Sequence, residues 1–283
     1  FVMIQIPRVL SIAGTDPTGG AGIQADLKSI EAAGGYGMCV VTALVAQNTQ
    51  GVRSVHTPPE QFLREQLDAV SDDVVIDAIK IGMLGNTATT AIVRDWLEEL
   101  QQSSEKSIPV VLDPVMVSTS GHRLLEPDAE RAVRDFSKIA TAVTPNLPEL
   151  AVLCNQQERD TLEAAISDAQ LWAASAHTAV IVKGGHLRGE VADNAAVWPS
   201  GDVFRVPNPR VKTKNTHGTG CSLSSAVAAR LGAGDDLNKA LDWSTRWLRE
   251  ALVGADALAV GQGNGPVDHG VRSRRLAAEA GLL

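Results

Sequence analysis

The sequence is short of cysteine, with three in 283 residues: Cys39, Cys154 and Cys221. So odd and sparse a set builds no disulfide framework, and without a Cys-x-x-Cys pair it offers no cysteine zinc site. Long apolar runs are missing too, and none reaches the ~18 residues that cross a bilayer. Basic residues are outnumbered, 25 lysines and arginines against 33 acids, for a net charge of −8. That balance argues against nucleic acid as the main partner, because phosphate-backbone binding needs a basic field. A few local cations still suffice for a small phosphate-bearing ligand. The 25 glycines show no period of three, and there is no internal repeat or low-complexity linker. The N-terminal stretch lacks the parts of a secretory signal, so a reducing cytosol is the expected compartment. A start at Phe1 rather than methionine points to a trimmed chain or a piece of a longer polypeptide. What the sequence does have is aliphatic mass: 44% of residues are hydrophobic, enough to bury a sizeable core.

That mass is arranged as short β-branched runs alternating with amphipathic stretches. Arg8 to Ala13, Tyr36 to Ala46, Ala78 to Ile81, Ile108 to Leu112, Ile139 to Thr144 and Ala179 to Val182 read as strands. Helices are expected after Gly22, after Pro58-Pro59, around Ile92 to Leu100, from Asp128 to Phe136, after Pro148, from Leu162 to Ala176, from Gly218 and from Leu237 to Leu252. Val52 to Val55 begins a short returning strand, and Asn194 to Trp198 with Val203 to Val206 form an antiparallel pair. The alternation predicts one α/β domain over residues 1–283, with a largely parallel central sheet covered by helices on both faces. In such sheets ligands bind beyond the carboxyl ends of the strands. The chemically suggestive residues lie at those ends: Gly14-Thr15-Asp16, Gln47-Asn48, Gly82-Met83, Asp113-Pro114-Val115, Pro145-Asn146 and Lys183-Gly184-Gly185.

Each group also has a plain structural role open to it. Gly14 to Gly22 (GTDPTGGAG) joins a strand to a helix with four glycines in nine residues, more than a turn needs, so ligand contact is favoured. It is no Walker A loop, because Gly20-Ala21 stands where Lys-Ser/Thr is required. Asp26 sits at the edge of the apolar face of the next helix, where an inward carboxylate needs a partner and an outward one merely complements the dipole. Gln47 carries an amide whose donors and acceptor match a heterocycle with an amino group beside a ring nitrogen; alone, a turn cap explains it as well. Asp113 and Glu149, at neighbouring strand ends, suit a hydrated Mg²⁺, while a helix cap or a solvated acid is the plain alternative for each. Lys183 can reach a phosphate as a point charge, though a snorkelling lysine at a strand end is a common plain alternative. The segment Lys212 to Ser222 (KTKNTHGTGCS) enters a helix with Gly218, Thr219 and Gly220 exposing successive N–H groups, an anion hole for a transferring phosphoryl group. Lys212, Lys214 and His217 add positive potential there. Cys221 occupies the first helical turn, where thiol pKa values fall and thiolate forms readily.

Seven motifs in order carry a resemblance: AGTDPTGGAGIQADLK, VTALVAQNTQGV, KIGML, LDPVM, TPNLPEL, VKGGH and TKNTHGTGCSLSSA, followed by GQGNGPVDH. Together they resemble the hydroxymethylpyrimidine/phosphomethylpyrimidine kinases of thiamine biosynthesis, members of the three-layer ribokinase-like fold. The similarity runs from about Arg8 to His269, leaving 270–283 as a C-terminal extension. It implies ATP-dependent phosphorylation of 4-amino-5-hydroxymethyl-2-methylpyrimidine, first to the monophosphate and then to the diphosphate. It implies a pyrimidine pocket formed by Gly14, Asp26, Gln47, Met83 and Val115. Cys221 would serve as catalytic base beside Gly218 and Gly220. Asn146, Lys183, Thr219 and Lys214 would face ATP, with Asp113 and Glu149 near Mg²⁺. Relatives of this kind are often homodimers, and some are fused to other thiamine-pathway enzymes, which gives the start at Phe1 a meaning. Some carry a lysine where this chain has Ser118-Thr119, so closure over the site by Ser118 to His122 would differ. The competing expectations are a pyridoxal/pyridoxine kinase on the same fold and a non-catalytic pyrimidine-binding module.

Overall fold

The computed structural model describes residues 5–116 and 129–283. The segment Ser118 to His122 and the expected helix start at Asp128 lie outside the described residues. In chain order the elements are β1 (Arg8–Gly14), α1 (Gly22–Ala32), β2 (Tyr36–Asn48), β3 (Gly51–His56), α2 (Glu60–Ser71), β4 (Ala78–Ile81), α3 (Thr87–Ser103), β5 (Val110–Leu112), α4 (Ala129–Ser137), β6 (Ala142–Val143), α5 (Leu147–Cys154), α6 (Leu162–Ala176), β7 (Ala179–Lys183), β8 (Asn194–Val197), β9 (Val203–Val206), α7 (Thr219–Gly232), α8 (Leu237–Gly254) and α9 (Val271–Glu279). The strands form one sheet in the order β3-β2-β1-β4-β5-β6-β7-β8-β9. Strands β2, β1, β4, β5, β6 and β7 run parallel, and the antiparallel strands β3 and β8–β9 close the two ends. The antiparallel hairpins match the expectation. The expected strand Ile139 to Thr144 shrinks to two residues, because Ile139 and Ala140 turn the chain out of α4.

Strand periodicity of two divides the core. Leu10 and Ile12, Ile79 and Ile81, and Val180 and Val182 face one layer, packed with Leu67, Trp96, Leu97, Phe136, Leu150 and Trp172 of α2–α6. Val9, Ala78, Val111 and Ile181 face the other, against Ile30, Leu223, Val227, Leu241 and Trp247 of α1, α7 and α8. Each fully buried aliphatic side chain contributes about 1.5–3 kcal/mol, so both layers are firmly held. Helix starts are capped by residues the sequence displays: Asn86 for α3, Asn146 for α5, Thr161 for α6 and Asp236 for α8. Among the described residues no helix is long and apolar enough to cross a membrane. The last helix buries none of its residues, and Arg272 and Arg275 pair with Glu250 of α8.

The chain leaves β1 toward β2 and β3, then returns to place β4 on the other side of β1. This reversal opens a crevice above the carboxyl ends of β1 and β4. The amino end of α7 closes it.

Candidate functional site

A cavity of about 750 Å³ occupies that crevice, within the range of small-ligand sites. Gly14, Gln47, Met83, Val115, Asp113, Asn146, Glu149, Lys183, Gly218, Thr219, Gly220 and Cys221 all line it. Residues spread over two hundred positions thus meet at one place. Two predicted residues do not line it: Asp26 lies beneath, fully buried, and Lys214 is exposed.

One part of the cavity is a snug slot. A side chain at Gly14 would come within 2.5 Å of Met83 Cε, so a glycine there admits the methionine. Ala43, Val45 and Met83 form a small apolar cluster beside it. Gln47 Nε2 donates to the Thr15 carbonyl at 3.1 Å, which fixes the plane of the amide at the slot's edge.

The other part is polar. Gly218 takes φ +77°, and a Cβ there would overlap the Gly20 carbonyl oxygen at 1.8 Å, so the turn into α7 requires glycine. The start of α7 has no side-chain cap; the Thr219 N–H turns back to the Thr216 carbonyl at 3.3 Å, which leaves the flanking Gly218 and Gly220 amides as donors for an anion. A Cβ at Gly220 would sit 3.2 Å from Lys183 Nζ and 3.3 Å from Asp113 Oδ2. Lys183 donates to Asp113 Oδ1 at 3.1 Å, and Thr144 Oγ1 donates to the same oxygen at 3.0 Å. Burial disfavours the Lys183 charge, but Asp113 and Glu149 outweigh it, and the ammonium is held above its ordinary range. Asn146 and Glu149 cap α5 reciprocally, each side chain accepting the other's backbone N–H at 2.9 Å. Burial, with Asp113 adding to it and Lys183 opposing it, pushes the Glu149 carboxyl up to about 7. Two carboxylates crowded beside one ammonium fit a hard divalent cation that keeps waters and phosphate oxygens as its other ligands. Among the described residues no cluster of three or more His, Cys, Asp or Glu forms a protein-only metal cage.

Two expectations need correction. Cys221 borders the cavity, but its thiol is not depressed: burial pushes it up to about 11, Lys80 opposes this, and Asp26 and Asp113 add to it. Desolvation outweighs the Lys80 charge and the Gly22 N–H bond. The cations expected around the anion hole are largely engaged elsewhere. Lys212 is exposed and stands 3.9 Å from Glu190, Lys214 is exposed outside the cavity, and His217 donates to Asp16 Oδ2 at 2.8 Å. The glycine-rich loop after β1 reaches the cavity with only part of its length. Asp16 is fully buried and accepts from the Thr18, Gly20 and Ala21 amides, the Thr18 hydroxyl and His217. Burial raises that carboxyl, but these bonds more than offset it, leaving it below its usual range. The loop braces the start of α7, and only Gly14, Thr15, Ala21 and Gly22 face the cavity.

Lys80 is the residue that sequence reasoning missed. It is fully buried in β4, donates to both Asp26 oxygens at 2.8 and 2.9 Å, and still reaches the cavity floor. Asp26 also accepts from Ser11 at 2.6 Å and Ser225 at 2.8 Å. Burial lowers the Lys80 ammonium's pKa, but Asp26 outweighs it and holds the group charged, above its ordinary range. The signal was a lysine between two isoleucines in a strand whose other residues are all core.

Residues 16–268 match the family described as phosphomethylpyrimidine kinase. A thiamine biosynthesis multifunctional protein ThiED of Corynebacterium glutamicum is 62% identical over 270 residues, covering 95% of this chain and 35% of that protein. This chain therefore spans about a third of the length of that relative. The hydroxymethylpyrimidine/phosphomethylpyrimidine kinase of Salmonella typhimurium is 45% identical over 267 residues, covering 94% and 98%. A solved Bacillus subtilis pyridoxal kinase in complex with ADP superposes with a TM-score of 0.85 at 30% identity, covering 95% of this chain and 99% of that one. Phosphomethylpyrimidine kinase from Clostridium difficile superposes with 0.75 at 32%, covering 87% and 99%.

Proposed function

Because this chain belongs to the phosphomethylpyrimidine kinase family, we propose that it transfers the γ-phosphoryl group of ATP to the hydroxymethyl oxygen of 4-amino-5-hydroxymethyl-2-methylpyrimidine, and then to the resulting phosphate. The observation that carries this reading is one cavity holding both the Gln47 amide beside an apolar slot and the uncapped amides of α7. The slot takes a flat heterocycle, with Gln47 reading its amino edge. The amides of Gly218 and Gly220, with Lys183, take the transferring phosphoryl. Phosphoryl transfer asks mainly for alignment and charge neutralisation, and this site supplies both. Asp113 and Glu149 would hold Mg²⁺, which spreads the phosphate charge when bound. Asn146 and Thr219 belong to the ATP side.

Cys221 stands where the slot meets the anion hole. Near neutral pH it is a thiol, so its first task is to orient the hydroxymethyl group. Base catalysis falls to the minor thiolate fraction, which the Lys80 ammonium favours. Cys221→Ala should lower kcat of the first step by ~10² to 10⁴ while KM for the pyrimidine stays within a few-fold. The second step should suffer less, because its nucleophile is already an ionised phosphate oxygen. Equal loss in both half-reactions would remove the base role.

The corynebacterial relatives support a setting in which this unit is one module of a multifunctional protein. A cytoplasmic homodimer also belongs to this reading. The resemblance to solved pyridoxal kinases supports a side activity on pyridoxine. The deciding experiment is ADP release with the aminopyrimidine, with pyridoxine and with neither. Turnover dependent on the aminopyrimidine is expected; turnover with pyridoxine alone would reassign the substrate. Aminopyrimidine binding without turnover would make the chain a binding module.

A further inference from the structure

The motif GQGNGPVDH has no place in the cavity, since residues 261–269 do not line it. They connect two segments that do. At one end, the Gly263 N–H donates to Thr49 Oγ1 and the Asn264 N–H to the Thr49 carbonyl, both at 3.1 Å. Thr49 lies in the turn between β2 and β3, two residues beyond Gln47. A Cβ at Gly263 would come within 2.0 Å of the Thr49 carbonyl oxygen, so backbone lies directly on backbone. At the other end, the Gly265 N–H donates to Asn215 Oδ1 and the His217 N–H donates to the Gly265 carbonyl, both at 3.0 Å. His217 immediately precedes Gly218, and its ring is clamped by Asp16. With Pro266 bridged to His217, four consecutive residues, 263 to 266, thus hold the turn after Gln47 at one end and the start of α7 at the other, through segments more than 160 positions apart.

We propose that residues 263–266 form a strap that sets the register between the pyrimidine-reading turn and the anion hole, with Thr49 and Asn215 as positioning residues. The strap fixes how far the hydroxymethyl oxygen stands from the phosphoryl group. A displacement of about 1 Å between reacting partners costs on the order of 10²-fold in rate. The substrate assignment in this proposal rests on the function proposed above; the mechanical claim does not.

The test compares Thr49→Ala, Thr49→Ser and Gly263→Ala with the wild-type chain. Thr49→Ala should raise KM for the aminopyrimidine about tenfold with KM for ATP within twofold, and Thr49→Ser, which keeps the hydroxyl, should restore it. Gly263→Ala, which drives strap and turn apart, should raise the ratio of ADP released to pyrimidine phosphate formed above one, because water then competes for the misaligned phosphoryl. A fall in kcat that only follows loss of folded protein, with both KM values and the ratio unchanged, would overturn the strap. Hydrogen exchange tests the mechanical link independently of substrate. In Thr49→Ala the His217 amide, at the far end, should exchange about tenfold faster than in wild type. An unchanged His217 amide overturns the proposal even if the wild-type chain shows no turnover. Absence of turnover in the wild type counts only against the proposed function.

Discussion

Two Asp–Lys pairs flank the amino end of α7, and they differ in completeness. Asp26–Lys80, beneath the helix, is fully buried and finished by the hydroxyls of Ser11 and Ser225. Asp113–Lys183, beside the helix, lines the cavity and shares its field with Glu149. The first pair joins β1, β4, α1 and α7, the elements whose ends make the site, and its charges are satisfied from within. The second is less enclosed, and the Glu149 carboxyl beside it is pushed up to about 7, by burial first and by Asp113 second, against the pull of Lys183. The same residue types therefore divide the work: one pair chiefly holds the frame, with only Lys80 touching the cavity floor, and the other is set to meet ligand.

The sharpest way to break this contrast is Lys80→Met, which leaves Asp26 buried without its countercharge. It should cost about 3–5 kcal/mol of stability in urea unfolding. Adding Asp26→Asn should recover much of that loss, and failure to do so would deny that the pair acts as a unit. Lys183→Met should behave oppositely, lowering kcat by about 10² to 10³ while the melting curve moves far less than for Lys80→Met. A collapse of stability equal to that of Lys80→Met would erase the distinction.

A second buried contact of α7, through Ser222, makes a pH prediction at His269. This histidine is buried, with its Nε2 2.8 Å from Ser222 Oγ, and burial pushes it down to about 4. Its ordinary value is 6.5, so between about 4 and 6.5 the unfolded chain binds the proton more readily. Stability should therefore fall as pH drops through that window, by on the order of 2–3 kcal/mol. His269→Gln should flatten this limb, and an unchanged slope would assign the acid sensitivity to other groups. The smallest effect belongs to the open side. Gln47→Leu should weaken aminopyrimidine binding about tenfold, as expected for a lost hydrogen-bonding edge, with ATP binding unchanged in calorimetry. Equal loss for both ligands would reject the assignment.

The open side was the legible one. Gln47, Asp113, Asn146 and Lys183 stand at strand ends, and strand ends show in the sequence as β-branched runs that stop. Gly218 to Gly220 announce a helix start. The three-layer architecture follows from the same alternation, and the crevice from where the strand order reverses. The closed side was hidden because its partners are distant: Lys80 looks like an error in AIKI until Asp26, 54 positions earlier, is folded over it. Charge state was hidden for a related reason. Helix position alone predicts a lowered Cys221 thiol, whereas burial, which only the assembled fold supplies, raises it. Asp16 shows the limit of composition: its glycine-rich loop resembles a ligand cradle, but one carboxylate inside the loop takes up the amides of Thr18, Gly20 and Ala21.

The bond from Ser225 to Asp26 spans 199 positions. A ribosome must therefore release nearly the whole unit before the Asp26 carboxylate acquires its last partner. Until then a nascent chain carries an unfinished buried salt bridge under a sheet missing one covering layer. Parallel sheets with such distant pairings assemble slowly, and exposed apolar layers invite association in the interval. In a multifunctional polypeptide of the kind seen in the corynebacterial relatives, this would make α7 the step on which maturation of the whole unit waits.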